Sequence, residues 1–234
     1  MTIMHTATGE SASSVLPLKG MRKMIAAKMH ESLQSAAQLT HHAECELTAL
    51  QARRAQLKAA GSAVSLQDLL LHQIVQTLGA HPSLNATLQD NQINQYAAVH
   101  LGLAIPLPGD LLVAPALFDA ERLDAEGLAA ARRALVDKAL AGKLSVRELT
   151  GATITVSNLG LSRVRFFTPI LNVPQVAIIG IGGSQRRLQR EADGRLVERD
   201  FLGLSLTFDH RAVNGAPAAD FLDDLCRRLE RTDC

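Results

Sequence analysis

The segment 206–216 constrains the fold of this sequence more than any other stretch. Its apolar start, which ends at Phe208, predicts a buried strand. Four polar residues follow directly after it, namely Asp209, His210, Arg211 and Asn214. Gly215 then predicts a turn into a last helix over residues 215–230. We therefore expect a sheet that holds this strand and presents the polar residues at its edge.

His210 is the candidate for acid–base chemistry in this segment. Histidine is the side chain whose unperturbed pKa lies closest to neutral, so a rigidly held imidazole can take a proton from a thiol and return it later. A single histidine at a strand end is also typical of a structural hydrogen bond. Both interpretations of His210 stay open on this segment alone.

The composition predicts helices packed on a sheet. Hydrophobic residues make up 47% of the 234 residues, but aromatic residues only 3%, and Trp is absent. The core must then be built from Leu, Ile, Val and Ala, which suits a mixed helix and sheet architecture. Residues 1–15 are small and polar without periodicity, so we expect a flexible arm there and one domain over residues 16–234.

Charge and hydropathy exclude several classes of protein. The net charge is +1, with no run of basic residues, which argues against a nucleic-acid binder. The longest apolar runs, such as 173–181, are about half the length that a membrane span needs, and no signal peptide is evident. The cysteines are few and widely spaced: Cys45, Cys226 and Cys234. Neither a disulfide framework nor a metal knuckle is expected, and a cytoplasmic location is the simplest setting.

The adjacent histidines His41 and His42 do not change the expectation that the protein binds no metal. They lie in a segment of alternating polarity that predicts a strand. Consecutive side chains on a strand point to opposite faces, so the two rings cannot grip one ion.

Four further elements are predicted in the first 140 residues. Met21, Met24, Ile25 and Met29 fall at helical spacing and predict a helix whose apolar side packs inward. Strands over 99–105 and 111–117 are expected to be joined by the Pro- and Gly-containing turn 106–110. A long helix is expected over residues 119–140.

Motifs spread from about residue 16 to residue 229 share one resemblance. The segments PLKGMRKMIAAKM (17–29), TITVSNLG (153–160), FTPILNVPQVAIIGIG (167–182) and DHRAVNGA (209–216) resemble the catalytic domain of the dihydrolipoamide acyltransferase (E2) family of 2-oxo-acid dehydrogenase complexes. Chloramphenicol acetyltransferase carries a motif related to the last of these. The segment SLQSAAQLT (32–40) looks closest to the acetoin-dehydrogenase branch, which points to acetyl as the acyl group.

This resemblance implies a fold and a set of catalytic residues. The fold is an α/β (α+β two-layer) domain with a chloramphenicol acetyltransferase-like mixed sheet flanked by helices. His210 would be the general base and Ser157 the donor that stabilises the oxyanion, with Asn214 as the third catalytic residue.

The resemblance also implies three supporting residues. These are Arg22, Asp209 and Gly215. Arg22 would approach Asn214, which stands where the family most often has Asp, so the contact would be a hydrogen bond and not an ion pair.

The implied reaction moves an acyl group between dihydrolipoamide and coenzyme A. In the family the base and the oxyanion donor come from neighbouring subunits of a homotrimer. Few residues precede the first motif, so we expect no lipoyl domain, no peripheral-subunit-binding domain and a lipoyl group borne by another protein. The charged segment 227–234 replaces an apolar tail, which predicts an isolated trimer.

Two other functions stay open at this point. One is a non-catalytic structural or assembly subunit of such a complex, whose clearest sign would be a missing histidine. The other is a coenzyme A-dependent acetyltransferase on another small acceptor, because the same base can activate a hydroxyl.

Overall fold

The computed structural model describes residues 16–231. The predicted arm over residues 1–15 lies outside the described residues, as do residues 232–234 at the end of the charged segment. The described part contains these α-helices: α1 Gly20–Ser35, α2 Thr48–Ala59, α3 Leu66–Leu78, α4 Ala125–Leu140, α5 Val146–Thr150 and α6 Gly215–Glu230. Short 3-10 turns lie at Pro82–Leu84 and Ala120–Arg122.

The strands form one large mixed sheet and two small ribbons. Their bounds are β1 Gln38–Glu46, β2 Ala86–Gln89, β3 Gln92–Gln95, β4 Leu101–Leu103, β5 Ile105–Leu107, β6 Leu111–Val113, β7 Ala116–Leu117, β8 Ile154–Asn158, β9 Ala177–Arg190 and β10 Leu196–Asp209. The large sheet has the order β1-β10-β9-β8-β4-β7, while β2-β3 and β5-β6 pair separately. Strands β4, β8 and β9 run parallel to one another, and the other pairs are antiparallel.

The two faces of the sheet differ in chemistry. On one face Leu206, Ile179 and Val156 occupy one row and are buried among helices α3, α4 and α6. In the adjacent row, which points to the other face, Ser205, Gly180 and Ser157 pair across β10, β9 and β8. The second face is therefore polar and small; the segment 162–172 lies on it, and α1 faces it across a cavity.

Two glycines let the segment 162–172 lie directly on the sheet. A Cβ atom added to Gly182 or to Gly203 would overlap the carbonyl oxygen of Arg165. Phe167 also donates its backbone N–H to the hydroxyl of Ser205 at 3.4 Å. The close approach of backbone to backbone therefore requires residues without a side chain in these strands.

The predicted strands 99–105 and 111–117 are each broken, which corrects the sequence interpretation. Leu103 donates to the carbonyl oxygen of Pro115 at 3.0 Å, and Ala104 donates to that of Val156 at 3.0 Å. Pro115 has no N–H for a ladder, so β6 and β7 are separate strands. The outer parts, β5 and β6, leave the large sheet and form their own ribbon.

The helix predicted over residues 119–140 begins later than expected. Asp119 adopts the left-handed conformation with φ 52°, which an α-helix cannot continue through. The helix α4 begins after Asp124, whose carboxylate accepts the N–H of Gly127 at 2.8 Å as an N-terminal cap. The last helix, by contrast, has the predicted bounds Gly215–Glu230.

None of the helices within residues 16–231 is long and apolar enough to cross a membrane.

Candidate active site

The His210 edge, which comprises residues 209–215, is anchored by Asp209. This carboxylate is 3% exposed and accepts hydrogen bonds from Arg211 Nη2 at 2.5 Å, from the Arg211 N–H at 3.1 Å and from the Ala37 N–H at 3.3 Å. Burial by itself would raise the pKa of Asp209, but the Arg211 guanidinium and the two amides lower this pKa below its ordinary value. Asp209 is therefore an ionised anchor for the turn that follows β10.

The backbone of His210 is fixed while its ring stays accessible. Its N–H donates to the carbonyl oxygen of Ala37 at 2.8 Å, which ties the end of β10 to the chain just before β1. The ring is exposed and lies against Phe208, with ring centroids 5.9 Å apart. The imidazole is thus held at a surface where a second molecule can reach it.

Asn214 and Gly215 form the entry to α6. Asn214 is the N-cap residue, but its exposed side chain makes no capping bond to the helix. The turn is closed instead by the backbone, because Ala212 and Val213 donate to the Asp209 carbonyl oxygen at 2.9 and 3.0 Å. The carboxamide of Asn214 is therefore exposed and makes no hydrogen bond to any residue within 16–231.

Ser157 lies on the polar face of the sheet, near the end of β8. It is partly buried, and its hydroxyl makes no hydrogen bond to any residue within 16–231. A hydroxyl donates one hydrogen bond, so this donor is available to a ligand. The neighbouring side chain of Asn158 points to the opposite face and accepts the N–H of Gly160 at 2.7 Å, which shapes the turn after β8.

Ser157 lines a cavity of about 580 Å³, which we call the Ser157 cavity. Its walls come from α1, from β6, from the sheet and from the segment 162–172. The residues from α1 and from that segment are Met21, Met24, Ile25, Lys28, Met29, Phe167, Pro169, Ile170 and Asn172. The lining is mostly apolar, as in many sites for small organic ligands.

The apolar side of α1 is not buried in the core, which corrects the prediction. Met21 is 49% exposed and Met24 is 72% exposed, and both face the open Ser157 cavity. Lys28 lies on the same wall. Its burial lowers the pKa of the ammonium group, and the nearby Glu31 carboxylate opposes this shift only in part. The helical spacing was right, but the stripe lines a cavity and not the core.

Ser157 and His210 do not meet within one chain. Ser157 is level with Ser205 in the sheet, two strands away from β10. His210 follows five residues after Ser205, which is about 16 Å along the strand and about 10 Å across the two strand spacings. Any site that uses both side chains must combine two copies of the chain.

Arg22 does not contact Asn214 within one chain. Its guanidinium donates to Asp110 Oδ2 at 3.2 Å and to the Gly109 carbonyl oxygen at 3.4 Å, at the tip of the β5-β6 ribbon. The His210 edge lies at the opposite end of α1, about 20 Å away for a helix of this length. A contact between Arg22 and Asn214 of a second copy stays a prediction.

The two adjacent histidines lie on opposite faces of β1, as predicted. The His41 ring packs edge-on against Phe208 with centroids 5.1 Å apart, whereas His42 Nδ1 is 2.9 Å from the Ser205 hydroxyl. Within residues 16–231 no group of three or more His, Cys, Asp or Glu side chains is arranged to hold a metal ion.

Comparison with known proteins settles the family. The family model described as 2-oxoacid dehydrogenases acyltransferase (catalytic domain) matches residues 10–233. The chain belongs to this family. The expected family and the expected chloramphenicol acetyltransferase-like fold are thereby confirmed.

A curated relative and two solved structures illustrate the similarity of this acyltransferase domain. The dihydrolipoyllysine-residue acetyltransferase component of the acetoin cleaving system of Bacillus subtilis (strain 168) is 39% identical over 226 residues, which are 94% of this chain and 56% of that protein. The chain spans about half the length of the curated relatives it matches.

The solved dihydrolipoamide acetyltransferase of Azotobacter vinelandii has a TM-score of 0.88 at 30% identity, covering 98% of this chain and 96% of that one. The work on that enzyme concerned the role of a serine, a histidine and an asparagine in its catalytic mechanism. Chloramphenicol acetyltransferase, with a TM-score of 0.57 at 15% identity over 88% of this chain and 94% of that one, shares the fold.

Sequence reasoning missed most of the cavity wall in this acyltransferase domain. Phe167, Pro169, Ile170 and Asn172 were part of a recognised motif, but the motif gave no reason to place them beside Ser157. A usable signal was the glycine spacing in β9 and β10, because Gly182 and Gly203 mark where another segment approaches the sheet closely.

Proposed function

We propose that the chain transfers an acetyl group between dihydrolipoamide and coenzyme A. The observation that carries this proposal is the pair of available polar groups on one chain. Ser157 offers a hydroxyl that no residue of 16–231 binds, inside a mostly apolar cavity, and His210 offers an exposed imidazole on a fixed backbone. Thiol-to-thiol acyl transfer needs one base and one oxyanion donor, which are the roles these two groups can fill.

In the proposed reaction His210 accepts the proton of the attacking thiol. The resulting thiolate adds to the carbonyl carbon of the thioester, and the carbonyl oxygen becomes an oxyanion. The Ser157 hydroxyl donates a hydrogen bond to that oxygen, in surroundings where apolar side chains strengthen the interaction. When the tetrahedral intermediate collapses, the leaving thiolate takes the proton back from His210, so the enzyme is unchanged at the end.

The proposed active unit is a homotrimer in which His210 of one copy meets the Ser157 cavity of the next. The separation of the two groups within one chain supports sharing between copies. Asn214 is exposed beside His210, so in this arrangement it reaches the neighbouring copy and can meet its Arg22. A closed ring of identical heterologous contacts is compatible with such sharing.

The proposed partner is a protein that bears the lipoyl group. The substrate would then be presented on a lipoyl-lysine arm, with coenzyme A free in solution.

We further propose a cytoplasmic location, which is supported by Cys45 and Cys226 being buried free thiols and not a disulfide.

The experiment that tests the proposed function is a thiol-transfer assay. Purified protein is supplied with acetyl-CoA and free dihydrolipoamide, and the release of coenzyme A is followed for the wild type and for His210→Ala. We expect release that falls by about 10²–10⁴ in the variant. The control His30→Ala removes another exposed histidine, on α1, and should keep full activity. If neither the wild type nor His210→Ala released coenzyme A with several acyl-CoA donors, a scaffold role would be favoured.

A further inference from the structure

Asn172 is a polar residue of the Ser157 cavity that the proposed reaction does not use. It stands in the segment 162–172 beside Ile170, and its neighbours in the cavity wall are mostly apolar. Its side chain is partly buried and makes no hydrogen bond to any residue within 16–231. The carboxamide lies in the wall of the cavity with its donor and its acceptor both unused by the described residues, so both are available to a ligand there.

The backbone before Asn172 is held firmly in place. The hydroxyl of Ser32, in α1, donates to the Leu171 carbonyl oxygen at 2.7 Å. The Leu171 N–H donates to Gln38 Oε1 at 3.1 Å, and Gln38 Nε2 in turn donates to Ser32. Ser32 is fully buried, so α1, β1 and the segment 162–172 meet at this point.

The backbone after Asn172 is also fixed by hydrogen bonds. Its own carbonyl oxygen accepts the N–H of Gln175 at 3.2 Å, while Gln175 side-chain atoms bond Thr155 at 2.7 Å and Ala152 at 3.0 Å. The Asn172 side chain therefore projects from a fixed backbone on both sides. Such preorganisation is what a side chain needs to orient a ligand.

A carboxamide can donate through its NH₂ group and accept through its oxygen. The group that it matches best is another amide, which offers one N–H and one C=O in return. Both thiol substrates of the proposed reaction carry an amide on a flexible apolar chain: the lipoyl amide and the amides of the pantetheine arm of coenzyme A. A cavity of about 580 Å³ has room for such a chain beside Ser157.

We propose that Asn172 binds the amide of a thiol substrate and so positions its sulfur beside Ser157. This inference rests on the proposed function and names the part of the substrate that the cavity recognises. Asn172 would be a substrate-binding residue and not a base or an oxyanion donor. Both thiol substrates carry such an amide, and the experiment below shows which of the two Asn172 binds.

The first test compares Asn172→Leu, which keeps the size of the side chain, with Asn94→Ala, which removes an exposed asparagine from β3. We expect Asn172→Leu to raise the KM of one thiol substrate about tenfold, the effect of losing one well-placed hydrogen bond, with kcat within about twofold. The substrate whose KM rises identifies the source of the amide. Asn172→Asp, which keeps the acceptor but not the NH₂ group, should show a smaller rise.

The second test uses substrates without the amide. The methyl ester of dihydrolipoic acid replaces dihydrolipoamide, and S-ethyl thioacetate replaces acetyl-CoA. Wild type should prefer the amide-bearing member of one pair, and this preference should be smaller in Asn172→Leu. An undiminished preference in a folded, active variant would overturn the proposal.

Binding measurements separate this inference from the proposed function. Titration calorimetry of dihydrolipoamide and of coenzyme A, each alone, needs no turnover. Weaker binding to Asn172→Leu with an inactive wild type would keep the inference and reject the transfer reaction. Transfer by the wild type together with unchanged KM and unchanged binding in Asn172→Leu would reject the inference alone. A wild type that neither binds nor transfers would reject both.

Discussion

The two halves of the proposed site are built in opposite ways. At the His210 edge, polar contacts hold the backbone: Asp209 is buried and pairs with Arg211, while Ala37 is bonded on both sides. At the Ser157 cavity, apolar side chains of α1 and of the segment 162–172 form the wall, and the Ser157 hydroxyl has no hydrogen-bond partner among the described residues. One half depends on ionic anchoring and the other on an apolar wall around a free hydroxyl.

This difference separates stability from activity. The anchor at the His210 edge is part of the folded state, so its loss should lower the free energy of unfolding as well as the rate. The Ser157 hydroxyl contributes nothing to folding that the described contacts show, so its loss should lower the rate alone. Each prediction below tests one side of this comparison.

Among the variants that test this comparison, the largest effect is expected for Ser157→Ala. Removing an oxyanion donor typically costs about 10²–10³ in kcat, and we expect that loss in the thiol-transfer assay. The melting temperature should stay that of the wild type, because no hydrogen bond within the described residues is broken. Ser35→Ala, at an exposed position of α1, serves as the matched control. A loss of stability that parallels the loss of activity would contradict the comparison.

A smaller effect, on both properties, is expected for Asp209→Asn. The substitution removes the charge that strengthens the hydrogen bonds to Arg211 and replaces one of the two buried acceptor oxygens by an NH₂ group. We therefore expect the free energy of unfolding to fall by about 1–3 kcal/mol. Denaturant unfolding measures this, and the transfer rate should fall in the same variant. Asp193→Asn removes a carboxylate from the exposed pair with Arg195 and should leave unfolding unchanged.

The stabilisation by Asp209 should disappear in acid. The pKa of Asp209 is lowered in the folded protein, so its contribution is present above the unfolded pKa of about 3.9 and is lost as the pH falls through the folded value. The difference in unfolding free energy between wild type and Asp209→Asn should be constant from about pH 5 to pH 7 and should shrink below about pH 4. A difference that grows in acid would show that the sign is wrong.

A small effect on stability is expected for Arg22→Ala. Arg22 and Asp110 form an exposed pair, so Arg22→Ala and Asp110→Ala should each change the free energy of unfolding by less than about 1 kcal/mol. If Arg22 also meets Asn214 of a neighbouring copy, Arg22→Ala should lose more transfer activity than Asp110→Ala. Equal activity of the two variants would remove Arg22 from the site.

Much of the scaffold could be predicted from local patterns. The apolar run before Asp209 and the helix after Gly215 are where the sequence placed them, because strand and helix periodicities are local properties. The break at Pro115 and the left-handed Asp119 were not foreseen, although Pro115 carries a recognisable signal in its missing N–H.

The candidate site was predictable only as separate residues. Ser157 and His210 could be singled out from their motifs, but no sequence pattern shows that they end about two strands apart in one chain. Asn172 was missed because its role depends on what surrounds it, and surroundings are set by the long-range contacts of Leu171 with Ser32 and Gln38.

The most direct test of the central claim, a site shared between copies, is complementation of two inactive variants. His210→Ala and Ser157→Ala are co-expressed with different tags, and mixed oligomers are purified through both. In every trimer that contains both variants, about one site in three combines an intact His210 with an intact Ser157, so we predict a recovery to about a third of wild-type activity. Activity no higher than that of the separate variants, in oligomers shown to contain both chains, would contradict the claim.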